Sequence, residues 1–111
     1  MVGLGGVLVE ALADTALAPV PLDHAAALAL IGRLKGARLF GAFRGAPEAD
    51  VEALAALMVT LSRLAADHAD TVAEIDLNPV IVHGKGDGVT VVDALVVKSG
   101  TPHTQGRDAA E

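Results

Sequence analysis

The chain has 111 residues, of which 14 are acidic and 8 basic, giving a formal net charge of −6 with the four histidines neutral. That length holds one domain, and 52% hydrophobic against 20% charged residues excludes the low-hydrophobicity regime in which chains stay disordered. The acidic balance, with Phe40 and Phe43 the only aromatics, argues against nucleic acid, whose binders place clustered Lys and Arg on phosphates and stack bases on rings. Without cysteine, disulfides, thiolate metal sites and cysteine nucleophiles are ruled out. No apolar run nears the ~18 residues of a membrane span, and the first six residues lack the basic n-region of a secretory signal. A cytoplasmic protein is expected, its core built from Ala, Leu and Val, which bury less area per residue than rings do.

Gly3, Gly5 and Gly6 lead into apolar residues 7–9 and Glu10, the pattern of a strand entered through a turn. A second short strand is expected at residues 16–20, limited by Pro19 and Pro21, which cannot donate to a ladder. Asp23 reads as an N-cap with Leu22 as its hydrophobic staple, because Ala27, Leu30, Ile31 and Leu34 recur at helical spacing, and Gly36 supplies the stop. Residues 37–45 carry both phenylalanines together with Arg38, Arg44 and Gly45. A stronger helix follows over about residues 50–68. Leu54, Leu57, Met58, Leu61, Leu64 and Ala65 share one face of it, and Glu48, Asp50 and Glu52 lie near its N-terminus, where the dipole favours acids.

From Val72 the period changes to two: Ile75 and Leu77 alternate with Glu74, Asp76 and Asn78, as in a strand with one buried face. Pro79 and an apolar run at residues 80–82 precede the turn-forming stretch 83–88, and a further strand is expected over residues 89–98. These pieces form a hairpin. The polar remainder, residues 99–111, lacks periodicity and is expected to be a disordered tail beyond a domain of residues 1–98.

If the six-residue loop is symmetric, Val82 faces Val89, Val80 faces Val91, and Asn78 faces Asp93. Opposed side chains in an antiparallel pair have Cβ atoms about 4.5–5.5 Å apart, close enough for a carboxylate and an amide oxygen to share a hard cation. Mg²⁺ suits such a pair, since it takes one or two protein oxygens and completes its octahedron with water and phosphate. Asp76 flanks the pair on the same face. One β-bulge within this stretch would break the register. The competing reading leaves Asn78 bonded to its own backbone beside Pro79 and Asp93 as an exposed strand residue. A free-standing metal site made from Asn78, Asp93 and Asp76 is weaker, because three monodentate oxygens without phosphate hold Mg²⁺ poorly.

Four stretches occur in a familiar order and spacing: Gly3-Leu4-Gly5-Gly6-Val7-Leu8-Val9-Glu10, Phe43-Arg44-Gly45-Ala46-Pro47 with Asp50, Glu74-Ile75-Asp76-Leu77-Asn78-Pro79, and Val92-Asp93-Ala94. Together, over about residues 2–98, they resemble the C-terminal part of the ATP-grasp domain of NDP-forming acyl-CoA synthetases, relatives of the succinyl-CoA synthetase β subunit. The resemblance implies an α+β subdomain, an antiparallel sheet with two helices packed on one face. It also implies coupling of acyl-CoA thioester chemistry to phosphorylation of ADP or GDP through a phosphohistidine on another domain or subunit. Asn78 and Asp93 match the family's Mg²⁺ ligands, which bridge the ATP or ADP phosphates. Asp76 matches an acid near the phosphate site, and Glu10 the glutamate ending the Gly-Gly strand. No residue here matches the phosphohistidine or a catalytic group. Implied partners are the N-terminal ATP-grasp lobe and the CoA-binding domain or subunit. Where many relatives have an aromatic and an arginine, this chain has Leu17 and Ala18.

Other residues carry weaker signals. Arg44 reads either as a phosphate or partner contact or as an ion pair with Glu48 or Asp50. His24, His68, His83 and His103 read as helix-start, helix-end, turn and tail positions. The first glycines read as a structural turn, since no helix with Lys-Ser/Thr completes a phosphate loop, and Lys85 reads as a solvated loop charge. Two functions compete: the nucleotide- and Mg²⁺-binding segment of an ADP-forming acyl-CoA synthetase, or a degenerate module that keeps the fold and binds a protein through exposed apolar surface, with oligomer formation as one outcome.

Overall fold

A computed structural model describes residues 1–4, 14–41 and 48–100. The opening ladder pairs β1 (Val2–Gly3) antiparallel with β2 (Thr15–Ala16). The strand expected at residues 7–9 lies outside the described residues. The one expected at 16–20 is corrected to Thr15–Ala16: its partner offers Val2 and Gly3 alone, and Pro19 and Pro21 have no N–H to extend a ladder. Gly3 is thus a strand residue rather than part of a turn.

Helix α1 (His24–Gly32) starts where expected. The Ala26 N–H donates to Asp23 Oδ1 at 2.7 Å, and Leu22 packs on the cluster that contains Ala27, four residues into the helix. Its end differs from the expectation. The helix stops at Gly32, and the N–H groups of Arg33 and Leu34 donate to the Leu30 and Ile31 carbonyls three residues back, tightening the last turn. Gly36 serves a different purpose, because a Cβ there would run into Leu4 Cδ1. A 3₁₀ turn (Ala37–Phe40) follows.

Helix α2 (Val51–Asp67) is capped by Asp50 and His68, and it buries Leu54, Ala55 and Ser62. Leu64, expected on the buried face, is exposed. The buried face runs through Ala55 and Ser62, and Leu64, nine residues on from Ala55, falls half a turn around the helix from it, while Ala65 returns to a half-buried position. Ala27 and Ala55, both 0% exposed, belong with Ile31 and Leu54 to the main core cluster. Side chains this small let the two helices pack closely. Buried Ser62 is satisfied on both sides: its hydroxyl donates to the Val59 carbonyl and accepts the Leu22 N–H, each at 2.9 Å, so it carries no desolvation penalty.

The remainder is one long hairpin in two pieces. Strand β3 (Val72–Leu77) pairs antiparallel with β6 (Ala94–Lys98), and β4 (Val80–Val82) with β5 (Val89–Val91). Val80, Val82 and Val89 lie against the helical core cluster. The α+β arrangement expected from the resemblance is present, with its antiparallel sheet divided into two-stranded ladders. The single strand expected over residues 89–98 is interrupted at Val92–Asp93, opposite Pro79, which has no N–H to give the ladder. Among the described residues no helix is long and apolar enough to cross a membrane.

Candidate functional site

The register across the turn follows the symmetric pairing. Val82 is opposite Val89 and Val80 opposite Val91, and beyond the break Leu77 pairs with Ala94 and Asp76 with Leu95. Between the two pieces, the Asn78 N–H donates to the Asp93 carbonyl and the Val92 N–H to the Pro79 carbonyl, both at 3.0 Å. Asn78 and Asp93 therefore stand opposite one another. A register shift does occur, but between Val72 and Glu74, at the far end of β3, where it leaves the Asn78–Asp93 pairing unaffected.

Burial alternates along β3, with Ile75 and Leu77 half-buried and Glu74, Asp76 and then Asn78 exposed, so Asp76 and Asn78 lie on the solvent face. Asp93 is exposed as well, and its Oδ1 accepts the N–H of Ala94 at 2.9 Å, which orients the carboxylate. Among the described residues no three His, Asp or Glu side chains converge on one point. The donor set on offer is one amide and one carboxylate oxygen with a second carboxylate two residues away. This suits a hard cation that brings its own phosphate and water ligands, and it does not suit a closed protein cage. Glu10 and Arg44 lie outside the described residues.

What holds this end of the hairpin was not legible in the sequence. Asp50, 8% exposed, caps α2 by accepting the Ala53 N–H on Oδ1 at 3.1 Å, while Oδ2 accepts the N–H groups of Gly86 and Gly88 at 3.1 and 2.8 Å. Bonds from Ala53, Gly88 and Gly86, with a smaller pull from the Lys85 charge, hold this carboxyl below its ordinary value against the opposing effect of burial. The chain just before α2 also pairs with the turn: the Asp50 N–H donates to the His83 carbonyl and the Lys85 N–H to the Glu48 carbonyl, both at 2.8 Å. Lys85 Nζ lies 3.5 Å from Glu48 Oε1 with both side chains largely exposed, so the expected solvated lysine has a partner, though exposed pairs of this kind contribute little. Gly86 and Gly88 adopt φ of +89° and +82°, where a side chain would be strained. His83 Nε2 lies 2.7 Å from Thr90 Oγ1, and His24 Nε2 lies 2.8 Å from Glu52 Oε1, linking the starts of the two helices.

A second missed acid is Asp14, 3% exposed. Its carboxylate accepts the N–H groups of Lys35 at 2.6 Å and Gly36 at 2.8 Å, tying β2 to the segment after α1. Each acid meets donors more than twenty residues away, so neither contact leaves a local signature. The available hint is an acid before a helix together with a Gly-Asp-Gly turn rich in free N–H groups.

The sequence pattern of the ATP-grasp domain matches residues 1–97. The β subunit of acetate–CoA ligase [ADP-forming] II from Pyrococcus furiosus is 38% identical over 100 residues, covering 90% of this chain and 42% of that one. The trans-feruloyl-CoA synthase FCS1 of an unknown prokaryotic organism is 43% identical over 97 residues, which make up 14% of its length. Among solved structures, PH1788 from Pyrococcus horikoshii superposes with a TM-score of 0.83 at 34% identity, over 89% of this chain and 41% of that one. The dinucleotide-forming acetyl-coenzyme A synthetase 1 of Ca. Korarchaeum cryptofilum, in complex with coenzyme A and Mg-AMPPCP, gives 0.79 at 36% identity over 87% and 44%. The chain thus spans less than half the length of these relatives. With fold, sequence and the order of its motifs in agreement, it belongs to the ATP-grasp family, as the counterpart of a segment of the ADP-forming acyl-CoA synthetases.

Proposed function

We propose that this chain supplies the Asn78–Asp93 half of an Mg²⁺–nucleotide site in an ADP-forming acyl-CoA synthetase, which converts acyl-CoA, ADP and phosphate reversibly to acid, CoA and ATP. The observation that carries this reading is the cross-strand placement of Asn78 opposite Asp93 on an exposed face, in a chain whose solved relative was crystallised with Mg-AMPPCP. Asn78 and Asp93 would hold the metal, with Asp76 beside the phosphates. Bound there, Mg²⁺ neutralises charge that spreads over the transferred phosphoryl group. The other half of the site, the phosphohistidine and the CoA site come from the remaining lobe and the CoA-binding domain or subunit, in a cytoplasmic enzyme.

The five exposed residues of β6 favour a second reading, an ATP-grasp-derived module that binds a protein partner. Calorimetric titration of the chain with ADP and ATP, each with and without Mg²⁺, separates the two. The nucleotide reading expects Mg²⁺-dependent heat that disappears in Asp93→Asn while far-UV circular dichroism is unchanged. Equal binding by Asp93→Asn refutes the metal role. Absence of nucleotide binding means that the chain needs its missing lobe or is an interaction module, and a repeat titration with the complementary lobe added separates those two, continued absence favouring the module.

A further inference from the structure

We infer that Asp50 is a positioning residue for the Asn78–Asp93 pair, because its carboxylate fixes the turn from which the register of the whole hairpin is counted. The inference rests on the nucleotide reading above for its functional consequence and on geometry alone for its structural one. A hairpin's register is set by the conformation and length of its loop. Here the loop spans residues 83–88, contains two left-handed glycines and packs no buried side chain. Inside it the Asp87 N–H donates to the Gly84 carbonyl at 2.8 Å and the His83 N–H to the Gly88 carbonyl at 3.0 Å, which leaves the Gly86 and Gly88 N–H groups to be held from elsewhere. The fixing contact from outside is Asp50: its Oδ2 gathers the Gly86 and Gly88 N–H groups, and its N–H holds the His83 carbonyl. Asp50 Oδ1 is meanwhile committed to the first turn of α2, so the clamp is anchored to the helix that carries Leu54 and Ala55 of the core. Four residues back from Val82, the same register brings Asn78 opposite Asp93. A slip by one residue would send one of their side chains to the other face.

Asn at position 50 is a sound test, since it remains a good N-cap but has one acceptor oxygen. It can cap α2 or bond the two glycine N–H groups, and cannot do both. In Asp50→Asn, amide exchange at Gly86 and Gly88 should accelerate, and the cross-strand nuclear Overhauser contact between Asn78 and Asp93 should weaken. Affinity for Mg²⁺–ADP should fall by about ten- to a hundredfold, the usual effect of removing a group that orients a metal ligand. Asp23→Ala, which removes the α1 cap far from the turn, is the stability control and should leave both the contact and the affinity unchanged. Should Asp50→Asn fail to fold, Gly88→Ala strains the same turn without touching the α2 cap, and the same losses are expected. Retention of the Asn78–Asp93 contact and of glycine protection in the folded variants overturns the inference whatever the wild type binds. A wild type that ignores Mg²⁺–ADP even with the complementary lobe supplied refutes the nucleotide reading and leaves the register measurement to decide the structural one.

Discussion

Asp50 concentrates more structure than any other described side chain, since one carboxylate serves a helix start and a turn 36 and 38 residues away. Its lowered pKa makes this contribution pH-dependent, and the sign follows from linkage. The folded state binds the proton less readily than the unfolded chain. The stabilisation is therefore complete above the ordinary carboxyl value of 3.8 and is lost as pH falls below it through the folded value. Urea unfolding of the wild type and Asp50→Asn should show a stability gap that is constant between pH 5 and 7 and closes under acid, below about pH 4. A gap that persists unchanged into acid would mean the carboxylate charge is not what holds the turn. Asp14 is placed differently, bonding two successive N–H groups after α1 beside Gly36, and its contacts are wholly to backbone.

At the scale of elements, the helices depend on two alanines with no exposed surface, Ala27 and Ala55. Ala55→Leu should push α1 and α2 apart and cost about 1–3 kcal/mol, the usual price of overpacking a filled core. Each kcal/mol lowers Tm by about 4–8 °C in a domain of roughly this size, which a thermal melt followed by circular dichroism resolves. A melt unchanged by Ala55→Leu would show that the interface has slack. This is also the scale at which the sequence is most readable. Asp23 and Asp50 mark two helix starts, the apolar period gives the extent of α2, and the alternation from Glu74 to Asn78 gives the exposed face of β3, because each is a pattern within a few residues. The symmetric loop yields the opposition of Asn78 and Asp93 by counting alone. What stays hidden is tertiary. Gly36 resembles a helix stop, yet it lies four residues beyond the helix end, where the Leu4 side chain approaches closely. The strand over residues 89–98 breaks because of Pro79 on the opposite strand, and the acids that hold the turns find donors far along the chain.

The whole molecule leaves apolar side chains exposed along β6. All five residues of β6 are exposed, on both faces of the strand since successive side chains alternate, with Leu95 at 57% and Val96 at 55%, and Val92 and Ile81 are exposed as well. Among the described residues β6 pairs with β3 alone, so one of its edges also offers unpaired backbone groups. Exposed apolar strands with an open edge invite another chain. In the relatives, whose length is more than twice that of this chain, further polypeptide is available to cover such a surface. In the chain by itself, two opposing effects decide its state: burial of the exposed β6 side chains favours association, and a net charge of −6 resists it. Added salt screens the repulsion and leaves apolar burial intact, since the Debye length shrinks to about 8 Å at 0.15 M. Light scattering should therefore give a mass above the 11.2 kDa monomer that rises with both protein and salt concentration. Val96→Lys should return it toward the monomer while shifting unfolding free energy by no more than about 0.5 kcal/mol, as expected of a surface substitution. A wild-type chain that stays at monomer mass across concentration and salt would show that β6 does not drive self-association, and a Val96→Lys variant that associates as the wild type does would place the contact elsewhere.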